Sequence, residues 1–140
     1  MAYIDTSILV AYYCPEPLSE VAEQAVREAA FPAISMLSEV EFCSALAIKL
    51  RRGKMRPNSG ERVLSQFLLH VEEQRYAILP IEARHYTLSV EWIGQFSTAI
   101  RTLDALHLAI AHLNEQPLVT ADHVLARSAE HFGVEHTLLQ

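Results

Sequence analysis

The chain has 140 residues, 51% of them hydrophobic and 20% charged, with a formal net charge of −6. This length and balance suit one compact α/β-sized domain with a buried core, and exclude a disordered or low-complexity chain. No apolar run is long enough to cross a bilayer, and the negative balance excludes loose, charge-driven attraction of the whole surface to nucleic acid.

Residues 2–4 are expected to form a short strand that runs into a helix over about residues 6–13, stopped by Pro15 and Pro17. Asp5 interrupts the first apolar stretch and no basic residue precedes it, so a signal peptide is not expected and a cytoplasmic location is. Cys14 and Cys43 lack metal-ligand spacing and are expected to be reduced thiols. An amphipathic helix follows over about residues 18–30, with Val21, Ala25, Val26 and Ala29 inward. Residues 32–35 suit a second strand, and a long helix from about Leu37 to Arg52 ends at Gly53. The polar stretch 53–60, with Pro57 and Asn58, is expected to be a loop.

Helices are then expected over about residues 61–74 and 82–96, flanking a strand at residues 77–79. A helix at 103–114, a strand at 117–120, a helix at 123–132 and a strand at 134–138 complete the chain. Short strands alternating with helices imply a parallel sheet covered on both faces. Ligands of such sheets bind beyond the carboxyl ends of the strands. Of the aromatic residues, Tyr12, Tyr13, Phe42, Phe67, Trp92 and Phe96 are expected mostly in the core, some of them available to an interface.

Aspartate occurs only at Asp5, Asp104 and Asp122, against fourteen glutamates, and each Asp stands where an apolar segment meets a helical one. Any one of them alone suits a helix N-cap. The helix after Asp104 is apolar almost all round, however, with Leu103, Leu106, Leu108, Ile110 and Leu113. Such a helix is buried, and an ionised carboxylate entering it needs a partner or a cation. If the three converge, hard divalent cations such as Mg²⁺ or Mn²⁺ are the ligands they suit. The long helix offers a fourth acid. Glu41 shares a stripe with Leu37, Ala45 and Ile48, while Glu39 lies on the opposite side near Cys43, Leu46 and Leu50; periodicity does not choose between them.

Five of the eleven basic residues, Lys49, Arg51, Arg52, Lys54 and Arg56, fall within eight positions. A solvated helix end and a phosphate-contacting patch both account for them. The seven histidines show no ligand spacing: His107 suits a satisfied core histidine, and His70, His85, His131 and His136 suit surface or boundary positions. No nucleophile elbow, phosphate-cradling glycine loop or zinc motif occurs. A phosphorylatable receiver domain is disfavoured, because no adjacent acidic pair follows the first strand and the only lysines are Lys49 and Lys54.

The blocks Tyr3-Ile4-Asp5-Thr6-Ser7, Ser35 followed six residues later by Glu41, Leu103-Asp104-Ala105-Leu106-His107-Leu108-Ala109, and Val119-Thr120-Ala121-Asp122 together resemble the ordered motifs of PIN-domain ribonucleases, in particular the small VapC-type toxins of bacterial toxin–antitoxin pairs. The resemblance implies a PIN-like fold, a short-stranded parallel sheet flanked by helices on both faces. It implies an acidic quartet of Asp5, Glu41, Asp104 and Asp122 holding Mg²⁺ or Mn²⁺, with Glu41 preferred over Glu39 by its distance from Ser35. Thr6, Ser7 and Thr120 match supporting polar positions, and Arg101 matches a basic residue before the third acid, a candidate phosphate contact beside Lys49, Arg51, Arg52, Lys54 and Arg56. His123 departs from the Arg or Lys that relatives often carry there. The implied activity is metal-dependent hydrolysis of RNA phosphodiesters, leaving a 5′-phosphate and a 3′-hydroxyl. The implied partners are RNA, a cognate antitoxin and a second copy of the chain. A PIN fold used only as a non-catalytic metal- or RNA-binding module is the alternative.

Overall fold

The computed structural model describes residues 1–140. In chain order it contains β1 (Tyr3–Ile4), α1 (Thr6–Tyr13), α2 (Ser19–Glu28), β2 (Ala33–Ser35), α3 (Met36–Arg51), α4 (Pro57–Glu72), β3 (Ala77–Leu79), α5 (Ala83–Gly94), α6 (Thr102–Leu113), β4 (Leu118–Thr120), α7 (His123–His131) and β5 (His136–Leu138). The strands form one five-stranded sheet in the order β3-β2-β1-β4-β5, every pair parallel. This is the α/β architecture that the alternating pattern implies. No helix is long and apolar enough to cross a membrane.

Side chains alternate across the pleat, so successive strand residues feed two different cores. Ala2, Ile4, Ile34 and Val119 pack with residues of α1 to α4, including Ile8, Leu9, Tyr13, Phe42 and Phe67. Tyr3, Ala33 and Leu118 point the other way and pack with α5, α6 and α7, including Trp92, Leu108, Ile110 and Leu125. The Phe42 and Phe67 rings lie 4.4 Å apart at the centre of the first core. Helix α6 is buried continuously from Ala105 to Ala111, as its all-round apolar sequence requires.

The chain builds outward from β1 through β2 to β3, then returns to place β4 on the opposite side of β1. The junction between β1 and β4 is therefore the topological switch point, where a crevice opens beyond the strand ends. Tyr3 pairs with Leu118 and Ile4 with Val119. The Asp5 backbone N–H donates to the Val119 carbonyl at 3.0 Å, extending this pairing to the first acid.

Four local expectations are corrected. Val21 is exposed rather than inward, and Ala22 is the buried residue of α2. Residues 57–60 are not loop: α4 starts at Pro57, whose fixed φ suits a first helical position. Phe96 is not core but 87% exposed, just beyond α5. His85 is wholly buried rather than at a boundary; its Nδ1 accepts from the Glu82 backbone N–H, capping α5.

Candidate metal centre

Asp5 follows β1 directly, with extended backbone, at the N-cap position of α1. Its carboxylate makes no capping bond, and is turned to other donors. Ser7 Oγ donates to Asp5 Oδ2 at 2.6 Å and Thr120 Oγ1 donates to the same oxygen at 2.8 Å. Each hydroxyl is fixed in turn from the β4–α7 turn: Ser7 Oγ accepts from the Ala121 N–H and Thr120 Oγ1 from the Asp122 N–H, both at 3.0 Å. The two hydroxyls thus tie the first acid to the segment carrying the last one.

Asp122 performs the capping role its position suggests, with Oδ1 accepting from the backbone N–H groups of Val124 at 2.8 Å and Leu125 at 3.0 Å. Glu41, on α3, is the acid of the long helix that meets α1 and α6: its Oε1 accepts from Thr6 Oγ1 at 3.0 Å and contacts His107 Nε2. One regularity joins these three acids. In each, a single oxygen takes both protein contacts and the second takes none. The only buried side-chain nitrogen or oxygen without a partner in the molecule is His85 Nε2, so the three free carboxylate oxygens are not sealed away.

Asp104 is not a cap. Arg101 is the N-cap of α6, and Asp104 lies in the first turn, half-buried. Its pKa is pushed up to about 6, first by burial and then by the charges of Asp5 and Asp122, with Glu41 adding to the effect and His107 opposing it. No hydrogen bond contributes. Asp104 is therefore near enough to the three other acids for their charges to act on it. Glu41 titrates below its ordinary value: burial pushes it up, but the hydrogen bond and charge of His107 and the bond from Thr6 outweigh that. His107 titrates above its ordinary value, because contact with Glu41 and the nearby charges of Asp5 and Asp104 outweigh its burial.

The donor set consists of carboxylate oxygens with hydroxyl support, the chemistry that hard divalent cations prefer over softer metals. No three acid, imidazole or thiol side chains close into a cage at ligating distance. On chemistry, the residues fit a divalent cation.

The basic residues divide by position. Arg101 is exposed at the start of α6, one turn before Asp104. The others sit elsewhere: at 1.5 Å per residue, Arg51 is about 15 Å down α3 from Glu41. Lys49 pairs with Glu16, and Arg51, Arg52, Lys54 and Arg56 are exposed around the α3–α4 turn. His107 is the functional neighbour that sequence alone misses. It is a satisfied core histidine as expected, yet one of its partners is Glu41.

The PIN domain family model matches residues 2–130. The chain belongs to the PIN domain family. No curated protein matches it. Among solved structures, FitAcB of Neisseria gonorrhoeae superposes with a TM-score of 0.73 at 16% identity, covering 97% of this chain and 96% of that one. VapBC2 of Rickettsia felis, bound to a DNA fragment from its promoter, gives 0.70 at 18% identity with both chains fully covered (100% and 100%). A toxin–antitoxin complex of Klebsiella pneumoniae gives 0.61 at 21% identity, with 87% of each chain covered. At these identities the likeness establishes a shared PIN fold.

Proposed function

We propose that this PIN protein is a divalent-cation-dependent endoribonuclease and the toxin of a toxin–antitoxin pair, with a cytoplasmic site of action. The observation that carries the nuclease reading is the division of labour within the carboxylates. Asp5, Glu41 and Asp122 are each pinned through one oxygen and leave the other free, while the pKa of Asp104 is raised by burial and then by their charge. Asp5, Glu41, Asp104 and Asp122 would hold Mg²⁺ or Mn²⁺ through those oxygens. When bound, the cation neutralises the acids, makes water a better nucleophile at neutral pH and stabilises charge on a phosphodiester.

The chain's own contribution is to orient. Ser7 and Thr120 fix the Asp5 carboxylate, the α7 N-terminus fixes Asp122, and Thr6 and His107 fix Glu41. Arg101, exposed one turn before Asp104, would contact a phosphate. Lys49, Arg51, Arg52, Lys54 and Arg56 lie at the far end of α3 and in the turn after it, and would serve phosphates further along the RNA.

For the partner proteins, the exposed apolar side chains give the support. Tyr86, Val90 and Ile93 of α5 and Thr102 and Leu106 of α6 line an apolar groove of about 390 Å³, with Leu103 exposed next to Asp104. Apolar surface of this kind suits a helix from an antitoxin laid over α5 and α6, or a second copy of the chain. That the similar Klebsiella pneumoniae structure is named a toxin–antitoxin complex agrees with such a partner. The test is incubation of the purified protein and its Asp104→Asn variant with bacterial RNA, in Mg²⁺, Mn²⁺ or EDTA. Discrete, metal-dependent cleavage by the first and none by the second is the expected result. Metal binding without turnover on any RNA would instead make it a binding module.

A further inference from the structure

The second core contains a polar chain that an apolar core does not need. Tyr3, Ser35 and His107 are each 0% exposed. Tyr3 Oη donates to Ser35 Oγ at 2.9 Å and lies 2.6 Å from His107 Nδ1, and the opposite ring nitrogen of His107 contacts Glu41 Oε1. Ser35 is the N-cap of α3, and its backbone N–H donates to Ser38 Oγ at 3.1 Å in a capping box. The links form a closed circuit: from the start of α3 through Tyr3 of β1 and His107 of α6, back to Glu41 of α3. Burying these polar groups is costly unless every one is partnered, and here they are. The circuit reaches the candidate metal centre at one place only, the Glu41 carboxylate.

We infer that His107, held by Tyr3, is a positioning residue that fixes the Glu41 carboxylate through Oε1 and so directs Oε2 toward the divalent cation. His107 and Asp104 lie three residues apart on α6, on one helical face. One turn of one helix thereby supplies an acid of its own and the anchor of another helix's acid. Thr6 contacts the same Glu41 oxygen from α1, so rotation of the carboxylate must break two contacts at once. Partners of ligating carboxylates and imidazoles of this kind typically change metal affinity or activity by about 10–100-fold when lost.

This inference rests on the metal-dependent nuclease reading, and the experiment separates the two. Mn²⁺ affinity is measured by electron paramagnetic resonance, together with the melting temperature and RNA kinetics. The wild-type protein is compared with His107→Leu, His107→Gln and Tyr3→Phe. The Gln amide nitrogen can reach the position of the imidazole Nε2, so Gln keeps a donor for Glu41 while Leu removes it. His107→Leu is expected to weaken Mn²⁺ binding by about 10–100-fold and to lower kcat with little change in KM. His107→Gln should recover most of that loss, and Tyr3→Phe should show a smaller one.

Equal losses in Leu and Gln that follow the melting temperature would reduce His107 to packing and overturn the inference. So would unchanged Mn²⁺ affinity in His107→Leu beside a wild type that binds. If His107→Leu fails to fold, Tyr3→Phe decides alone: native melting with wild-type Mn²⁺ affinity overturns the role of the circuit. A wild-type protein that binds no Mn²⁺ overturns the nuclease reading itself, and this inference with it.

Discussion

Replacing Asp104 by Asn should stabilise the metal-free protein while destroying its metal-dependent activity. Asp104 has an ordinary value of 3.8 and sits at about 6 in the folded chain. A folded-state value above the unfolded one means that stability is fully present below pH 3.8 and is lost as pH rises through about 6. The difference, 6 − 3.8, is about two pH units, or ~3 kcal/mol at 1.36 kcal/mol per unit. The side chain is only half-buried, so solvent screening brings the figure to ~1–2 kcal/mol. Asparagine keeps the shape and removes the charge that Asp5, Asp122 and Glu41 oppose. In a domain of this size that corresponds to an increase in Tm of about 3–8 °C. The assay is thermal unfolding of both proteins in EDTA at pH 7.5, repeated at pH 4, where folded Asp104 is protonated and unfolded Asp104 is near its midpoint, so that little of the penalty remains. The gain should appear at pH 7.5 and shrink sharply at pH 4. Mg²⁺ or Mn²⁺ should then raise the Tm of the wild type more than that of the variant. A variant less stable than wild type in EDTA at pH 7.5, or one equally stabilised at both pH values, would refute the reasoning.

Thr120→Val removes the donor to Asp5 and the acceptor of the Asp122 N–H together; urea unfolding should show a loss of about 1–3 kcal/mol, and calorimetric titration a roughly 10–100-fold weaker Mn²⁺ affinity. Asp122→Asn retains an oxygen to cap α7 whereas Asp122→Ala does not, so only Ala should destabilise, by about 1 kcal/mol, while both should lose metal-dependent cleavage; full activity in the Asn variant would leave Asp122 a cap and nothing more. The Glu41–His107 pair has its own pH signature. Glu41, lowered, contributes stability present above its ordinary 4.5 and lost as pH falls through its folded value. His107, raised, contributes stability present below its ordinary 6.5 and lost as pH rises through its folded value. The advantage of wild type over Glu41→Gln in chemical denaturation should therefore peak between pH 4.5 and 6.5, and a monotonic rise with pH would contradict the pairing. Finally, a Lys54→Ala, Arg56→Ala double variant should bind single-stranded RNA with a salt slope smaller by about 1.4 if both residues meet phosphates, with Mn²⁺ affinity unchanged.

The sheet and its helices were legible because each strand is a short apolar run bounded by a turn, and each helix keeps a helical repeat long enough to be distinct. The boundary that misled was Pro57, which looks like a loop residue in isolation but suits the first position of α4. At the acids, Asp5 and Asp122 were legible from their place after apolar strands. The choice of Glu41 over Glu39 was not legible from periodicity, since α3 is partly buried on several sides; Ser38, Phe42 and Leu46 form its buried face and Glu41 lies on the flank. That choice turned on motif spacing. The contact of His107 with Glu41 joins residues 66 apart and depends on where α6 crosses α3, which no local pattern encodes. His85 was missed for a different reason: its imidazole stands at the N3 position of a capping box, where Glu or Gln is usual.

The anchoring of Asp5 by Thr120 spans 115 residues. During synthesis the first carboxylate leaves the ribosome long before the hydroxyl that orients it, and the fourth acid follows two residues later still. A nascent or prematurely terminated chain holds acids without an assembled centre. Proteolysis has the mirror effect, since no contiguous fragment that omits either end of residues 5–122 retains all four carboxylates. A destructive activity housed this way would be confined to the completed fold, with neither its precursors nor its breakdown products able to act.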